Sequence, residues 1–250
     1  MIRPALASDF AKITATDPFI TRILSLYESY AEGFDFVAFW TQETDGVITA
    51  EISRFEDKFS LWLTDGADLE EIAAFIRFQS AGSCLYNAAF PLVFPSEIPM
   101  IGGQILEYTG EEYISDIEIY EPDLRSLYTL LKACESPIFI VPEYLMFLSE
   151  VTFRRNRNKL HLSATAVDGN LASSVMTVSE TKSAAILGAV ATHPDYRRRG
   201  LSRELVRTLA TRLRGEGRRV YVLSASEANT RFYQHSGFTV IAGFKEIFST

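Results

Sequence analysis

Along this chain the spacing of apolar residues switches between helical and alternating patterns, and each switch marks an element. Residues 19–32 (FITRILSLYESYAE) carry apolar side chains at helical spacing. Residues 34–40 (FDFVAFW) and 47–53 (VITAEIS) flank the polar turn TQETDG and predict a β-hairpin. A third strand is predicted at 59–63 (FSLWL). A helix follows at 68–79 (DLEEIAAFIRFQ), with acids in its first turn where the helix dipole favours them. Residues 84–95 return to a strand-like apolar run that ends in prolines, and 98–121 are mixed and broken by Gly and Pro. Helices are predicted from Asp123 to Cys134, with Leu124, Leu127, Leu130 and Leu131 on one side, and over 142–158, ending in Arg154, Arg155 and Arg157. Residues 159–167 and 171–179 flank Asp168-Gly169-Asn170, a hairpin signal. The run AAILGAVAT at 184–192 is almost wholly apolar, the pattern of a strand buried on both faces. Leu201, Leu205, Leu209 and Leu213 then recur every four residues, and Arg203, Arg207, Arg212 and Arg214 fall off that stripe. This is an amphipathic helix, ended by Gly215 and Gly217. A strand at 219–225, a short helix at 227–236 and a last strand at 238–248 complete the chain.

The length of 250 residues suits two domains better than one. We place the boundary at 115/116, giving a smaller α/β domain at 1–115 and a larger α/β (α+β) domain at 116–250. Charge supports the division. The chain carries a net charge of -8, but residues 151–250 hold sixteen Lys+Arg against seven Asp+Glu, about +9, and residues 1–150 carry about -17. A basic half points to an anionic ligand or nucleic acid, or simply to two domains that attract one another. The most apolar window, 137–153, is interrupted by Pro142, Glu143 and Glu150 and is too short and charged to cross a bilayer. The N-terminus has no apolar signal-peptide core. Cys84 and Cys134 form no CxxC or Cys/His cluster, and His161, His193 and His235 have no ligand spacing. The expectation is a cytoplasmic protein with reduced thiols, no metal and no membrane partner.

The most informative stretch is HPDYRRRGLS at 193–202. It joins a buried strand to an amphipathic helix. A helix N-terminus offers unpaired N–H groups and partial positive charge, a ready site for phosphate oxygens. Gly200 lets an anion approach the backbone closely, and Ser202 is small. Three arginines at a helix start oppose the dipole, so an anion is expected to compensate. The alternative is a solvated basic patch.

The pattern Arg197-x-x-Gly200-x-Ser202 in this context resembles motif A, (Gln/Arg)-x-x-Gly-x-(Gly/Ala), of the GNAT superfamily of acyl-CoA-dependent N-acyltransferases. The run NTRFYQHSGF at 229–238 resembles the family's later motif, a short helix carrying Phe-Tyr and closed by Gly-Phe. The resemblance covers about 115–250. It implies a mixed, mostly antiparallel sheet with a splayed parallel strand pair, 184–192 and 219–225, and flanking helices. Acetyl-CoA is the implied co-substrate. The implied contacts are the backbone of Val190, Ala191 and Thr192 for the pantetheine arm, and Arg197, Arg198, Arg199, Gly200, Leu201 and Ser202 for the pyrophosphate. Tyr233 would face the departing thiolate; otherwise it is a core residue under the last strand. The sequence departs from the family at Ser202, in place of Gly or Ala, and where many members have an Asn upstream of the Tyr. Here Ser226 holds that place and Asn229 stands closer, so either is a candidate for cofactor contact. Members often carry a Glu on the strand before the phosphate loop, but AAILGAVAT has no acid. Glu180 and Glu227 read as solvated turn residues, and His193 as too far toward the phosphate end. Deprotonation through water, or an amine that arrives neutral, fills the gap.

Residues 34–95 echo the same element order without a phosphate loop and suggest a degenerate second copy, a lid or an acidic scaffold. Gln79-Ser-Ala-Gly82-Ser-Cys84 also spells the motif, but it follows a helix and precedes a strand, the reverse of the needed context. The leading expectation is an N-acetyltransferase acting on an amine of a small molecule or peptide by direct attack, as a monomer or homodimer. The competing expectation is a CoA-binding sensor without turnover. Nucleic-acid binding is disfavoured, because the arginines lack interleaved aromatics and the acidic half repels phosphate.

Overall fold

The computed structural model describes residues 1–30, 34–95, 97–136 and 139–248. In chain order the elements are β1 (Ile2–Pro4), α1 (Ala7–Phe10), α2 (Pro18–Tyr30), β2 (Val37–Thr44), β3 (Val47–Phe55), β4 (Lys58–Leu63), α3 (Leu69–Phe78), β5 (Ser83–Asn87), β6 (Met100–Tyr108), α4 (Leu124–Ala133), α5 (Tyr144–Asn156), β7 (Leu162–Val167), β8 (Asn170–Glu180), β9 (Ala184–Thr192), a 3-10 turn (Pro194–Tyr196), α6 (Leu201–Gly215), β10 (Arg219–Ser224), α7 (Glu227–His235) and β11 (Phe238–Phe248). The order expected for 123–248 is reproduced. Positions 31 and 32 of the helix expected at 19–32 lie outside the described residues. The pattern gave no sign of β1 and α1, and it left β6 inside a mixed stretch. The Gly102-Gly103 pair obscured β6, because a glycine pair weakens a strand pattern. Gly103 is needed there: a Cβ would collide with the Ser224 carbonyl and would meet the Phe244 ring at 2.5 Å.

The chain forms two compact units that do not follow one cut in sequence. The first comprises 1–106, 223–230 and 240–250; the second comprises 107–222 and 231–239. In the first unit the strand order is β1-β2-β3-β4-β5-β11-β6. β4 and β5 run parallel, and the other registered pairs are antiparallel. Ile52, Phe59, Leu61 and Tyr86 pack on one sheet face with Ile72, Ala73 and Ile76 of α3. On the other face Leu85, Ile105 and Phe244 pack with Phe19 of α2. In the second unit the order is β10-β9-β8-β7, with β9 and β10 parallel and the rest antiparallel. Leu127, Leu130 and Leu131 of α4 and Phe147 and Val151 of α5 bury one apolar cluster against Ala191, Leu162 and Leu171. The buried stripe of α6 is Leu205, Val206, Leu209, Ala210 and Leu213. Each fully buried leucine contributes roughly 1.5–3 kcal/mol relative to exposure, which fixes the helix that carries the arginine loop. No helix among the described residues is long and apolar enough to cross a membrane.

Candidate functional site

The parallel register of β9 and β10 begins at Ala184 with Arg219 and ends at Leu187 with Val222, whereas β9 runs on to Thr192. Just beyond that point β9 bulges. Ser174 pairs with Ala191 and Met176 with Gly188, so Ala189 and Val190 together oppose Val175. Ala189 has φ 46°, a left-handed conformation that costs a non-glycine residue about 1–2 kcal/mol. Strain of this kind collects at functional sites. Gly188 is required at the bulge, because a Cβ there would meet Val178 Cγ1 at 2.5 Å. His193 N–H donates to the Ala172 carbonyl at 2.9 Å. Antiparallel alternation therefore turns the N–H and C=O of Thr192 away from β8, and Val190 shares that side. The Thr192 carbonyl accepts from Arg197 Nε at 3.1 Å and from Cys134 Sγ at 3.3 Å. The Ala191 carbonyl instead accepts from Ser173 Oγ at 2.8 Å. The backbone edge at Val190 and Thr192 that faces away from β8 is thus flanked by the end of α4, and its Thr192 carbonyl is already taken by Arg197 and Cys134.

The arginine loop follows directly. After the 3-10 turn the chain passes through two left-handed residues, Arg198 at φ 62° and Gly200 at φ 81°, and enters α6. Among the described residues, the five successive N–H groups from Arg198 to Ser202 have no acceptor; helical bonding starts with Arg203 and Glu204 donating to the Gly200 carbonyl. A Cβ on Gly200 would meet no atom within 4 Å, so the loop is open on that side. Arg197 is tied to the end of β9 through Nε, and Arg199 lies over the Tyr196 ring at 5.3 Å. Arg197, Arg198 and Arg199 are exposed, and Leu201 and Ser202 are partly buried. Acceptor-free N–H groups at the start of a fifteen-residue helix, directly after three arginines in sequence, make a donor set suited to phosphate oxygens.

Tyr233 lies on α7 and is 9% exposed. Its ring packs on Phe232 and Phe238, with centroids at 5.1 and 5.8 Å. Its hydroxyl makes no hydrogen bond among the described residues. Burial pushes its pKa up to about 12, so it is protonated at neutral pH. Asn229 is exposed in the first turn of α7 and belongs to the first unit. Ser226 caps that helix: its Oγ accepts from Asn229 N–H at 3.2 Å.

Glu180 corrects one expectation. It is not a solvated turn residue but is 1% exposed. It accepts from Thr177 Oγ1 at 3.0 Å, bonds His161 Nδ1 at 2.9 Å and pairs with Arg218 at 3.3 Å. Desolvation pushes its pKa upward, but His161, Arg218 and Thr177 outweigh it and hold the carboxyl below its ordinary value. Glu180 pairs with Ala185, five residues from Val190 along β9, roughly 16 Å at strand rise. It is a structural ion cluster at the far end of the strand. Sequence reading passed over Ser174, a buried hydroxyl opposite Ala191 that has no partner. It also passed over the bulge. The small residues Gly188 and Ala189 within a run of larger apolar residues were the available signal.

The first unit contains the same β–α–β arrangement in β4, α3 and β5, with a parallel register that stops at Ser60 and Leu85. Its loop is chemically opposite. Asp68 caps α3 by accepting from Glu71 N–H at 3.0 Å, and Glu70 and Glu71 fill the first turn. That helix start repels phosphate. The Gln79–Cys84 segment is the α3–β5 turn, held by Gly82 N–H on the Asp57 carbonyl at 2.8 Å.

Comparison with known proteins agrees with this geometry. Residues 124–238 match the family model described as acetyltransferase (GNAT) family. No curated protein matches the sequence. Among solved structures, a GCN5-related N-acetyltransferase from Sphaerobacter thermophilus is 14% identical, with TM-score 0.64 over 100% of this chain and 95% of its own. A GNAT-family acetyltransferase from Colwellia psychrerythraea is 12% identical, with TM-score 0.60 over 100% of both chains. A tandem GNAT protein from the clavulanic acid biosynthesis pathway is 14% identical, with TM-score 0.58 over 100% of this chain and 98% of its own. These likenesses show a shared fold over the whole chain. The bulged strand, the arginine loop and the helix that follows all lie within residues 124–238, the stretch that matches the acetyltransferase (GNAT) family model.

Proposed function

We propose that the protein is an acetyl-CoA-dependent N-acetyltransferase that acetylates an amine by direct attack. The observation that carries this reading is the row of five acceptor-free N–H groups from Arg198 to Ser202, joined through Thr192 to the bulged end of β9. The donor set fits a pyrophosphate, with Arg197, Arg198 and Arg199 adding charge-assisted bonds and Gly200, Leu201 and Ser202 supplying backbone donors. The outward backbone groups of Val190 and Thr192 suit an extended amide-bearing arm, which would add to the strand edge as a peptide does. Bound acetyl-CoA supplies an activated thioester. Tyr233 is our assignment for the proton donor to the departing sulfur, since its hydroxyl is protonated and makes no hydrogen bond among the described residues. No acid stands on β9, so the attacking amine loses its proton to water or arrives neutral.

The test is calorimetric titration of acetyl-CoA, followed by thiol release over a panel of amines. Saturable binding with release supports the transferase. Binding without release from any amine favours a CoA-binding sensor. Absence of binding overturns both.

A further inference from the structure

The first unit holds an open cavity that the acetyl-transfer reading does not use. It has a volume of about 150 Å³ and lies at the margin of the core that α3 builds on the sheet. Buried Ile76 of α3 and Ile247 of β11 line it, with partly buried Phe94 and Ile98 from the segment before β6. That segment is held by Ile98 N–H on the Pro95 carbonyl at 3.1 Å and by Phe248 N–H on the Pro99 carbonyl at 2.9 Å. The end of α3 explains why the space is unfilled. Ser80 N–H donates to the Arg77 carbonyl at 3.0 Å and Ala81 N–H to the Ile76 carbonyl at 3.5 Å, with Ser80 left-handed at φ 50°. These are the two bonds of a Schellman ending, in which the side chain at 81 packs against that at 76. Ala81 has only a methyl group to offer, and it lines the cavity.

The apolar walls give water no partner. The polar groups of the lining are Arg77 and Ser80, and both are exposed, so they mark the side that opens to solvent. Among the described residues the Arg77 guanidinium makes no hydrogen bond or ion pair. The helix-end carbonyls do not occupy it, because those of Phe75, Ile76 and Arg77 accept from the N–H groups of Gln79, Ala81 and Ser80. None of the described lining residues is acidic. Asp57, whose carboxylate lies against Gly82, does not line the cavity.

We propose that this cavity binds a small aromatic carboxylate, with the ring inside and the carboxylate on Arg77. An apolar cavity of roughly 150 Å³ stays dry and accepts a ring the size of benzene. Removing that ring from water supplies the affinity, and the Phe94 ring offers it an edge or a face. Water solvates Arg77 while the cavity is empty, so the guanidinium does not demand a ligand. It selects the head group instead: its planar fork pairs with a carboxylate and repels an ammonium. Ser80 Oγ stands at the same rim as a further donor. A long alkyl chain exceeds the volume. The site belongs wholly to the first unit and does not rest on acetyl transfer.

The test is a ligand-observed NMR titration of phenylacetate into the full chain, with phenethyl alcohol, phenethylamine and acetate alongside. One saturable site for phenylacetate is expected, with phenethyl alcohol weaker and no saturation by phenethylamine or acetate. Ala81→Leu puts side-chain carbons into the cavity. It should abolish binding and, by filling a void, raise Tm by about 1–8 °C. Arg77→Gln should weaken phenylacetate by about two- to tenfold and leave phenethyl alcohol unchanged. Absence of saturable phenylacetate binding overturns the proposal. So does binding that survives Ala81→Leu in a protein with unchanged circular dichroism. Arg77 lies on the surface, so Arg77→Gln decides even if Ala81→Leu fails to fold: unchanged phenylacetate affinity in that variant overturns the assignment. Phenethylamine binding as tightly as phenylacetate does the same. Displacement of phenylacetate by acetyl-CoA also overturns it, by placing the ligand outside this cavity.

Discussion

Replacing Gly200 by alanine separates backbone strain from ligand contact. Gly200 has φ 81°, and an added Cβ meets no protein atom within 4 Å. The folded state therefore loses only the cost of holding alanine in the left-handed region, about 1–2 kcal/mol. In a chain of this size that lowers Tm by roughly 2–8 °C. The Cβ projects on the open side of the loop, where a phosphate must approach. Losing one charge-assisted N–H bond of about 1.5–3 kcal/mol weakens acetyl-CoA binding by roughly 10- to 100-fold. Gly169 provides the control. It stands in the β7–β8 turn at φ 78°, also with nothing within 4 Å, so Gly169→Ala imposes the same strain without touching the loop. Thermal melts should show matching losses for the two variants. Calorimetry should show weakened acetyl-CoA binding for Gly200→Ala alone. Unchanged affinity in Gly200→Ala, or equal affinity losses in both variants, would refute the reasoning that the loop backbone holds the ligand.

Tyr233→Phe should lower kcat by about 10²–10⁴-fold with acetyl-CoA affinity unchanged; stability should be nearly unaltered, because the hydroxyl lost makes no hydrogen bond. With the Tyr233 pKa raised to about 12, any alkaline loss of rate at lower pH must come from another group, which a pH–rate profile of the wild type and Tyr233→Phe will reveal. Glu180→Gln strands His161 and Arg218 around a neutral group and should cost about 3–5 kcal/mol in denaturant unfolding, with kcat of the folded protein unchanged. Since the folded pKa of Glu180 is depressed, its stabilisation is present above the unfolded carboxylate pKa and is lost as pH falls through the lower folded value; acid unfolding of the wild type should approach that of Glu180→Gln at low pH. Acetyl-CoA should bind at one site per chain, because the first unit's equivalent helix start is capped by Asp68 and lined by Glu70 and Glu71; a calorimetric stoichiometry of two would contradict this.

Much of the fold was legible because local pattern and burial agree. The four-residue leucine repeat from Leu201 to Leu213 could bury its stripe only as a helix, and AAILGAVAT was too apolar for any place but a central strand. The Arg-x-x-Gly spacing also fixed the candidate phosphate loop, since a tight turn into a helix needs glycine where φ becomes positive. Non-local pairing decided the rest. The Ala189 bulge exists only because β8 and β9 differ by one residue between two registered pairs, and no local pattern encodes that mismatch. Glu180 read as a turn acid until folding brought His161 and Arg218 around it from other elements. Gly103 weakened a strand pattern in sequence, yet in space it is the residue that lets Ser224 and Phe244 approach. The sequence by itself determined most of the helices and strands, though not β1, α1 or β6, and where the glycine-bearing turn into α6 lies, because those depend on neighbours along the chain. The tertiary structure alone decided which edge of β9 faces away from β8 and the partners of each buried charge, because each depends on residues brought together from distant parts of the chain.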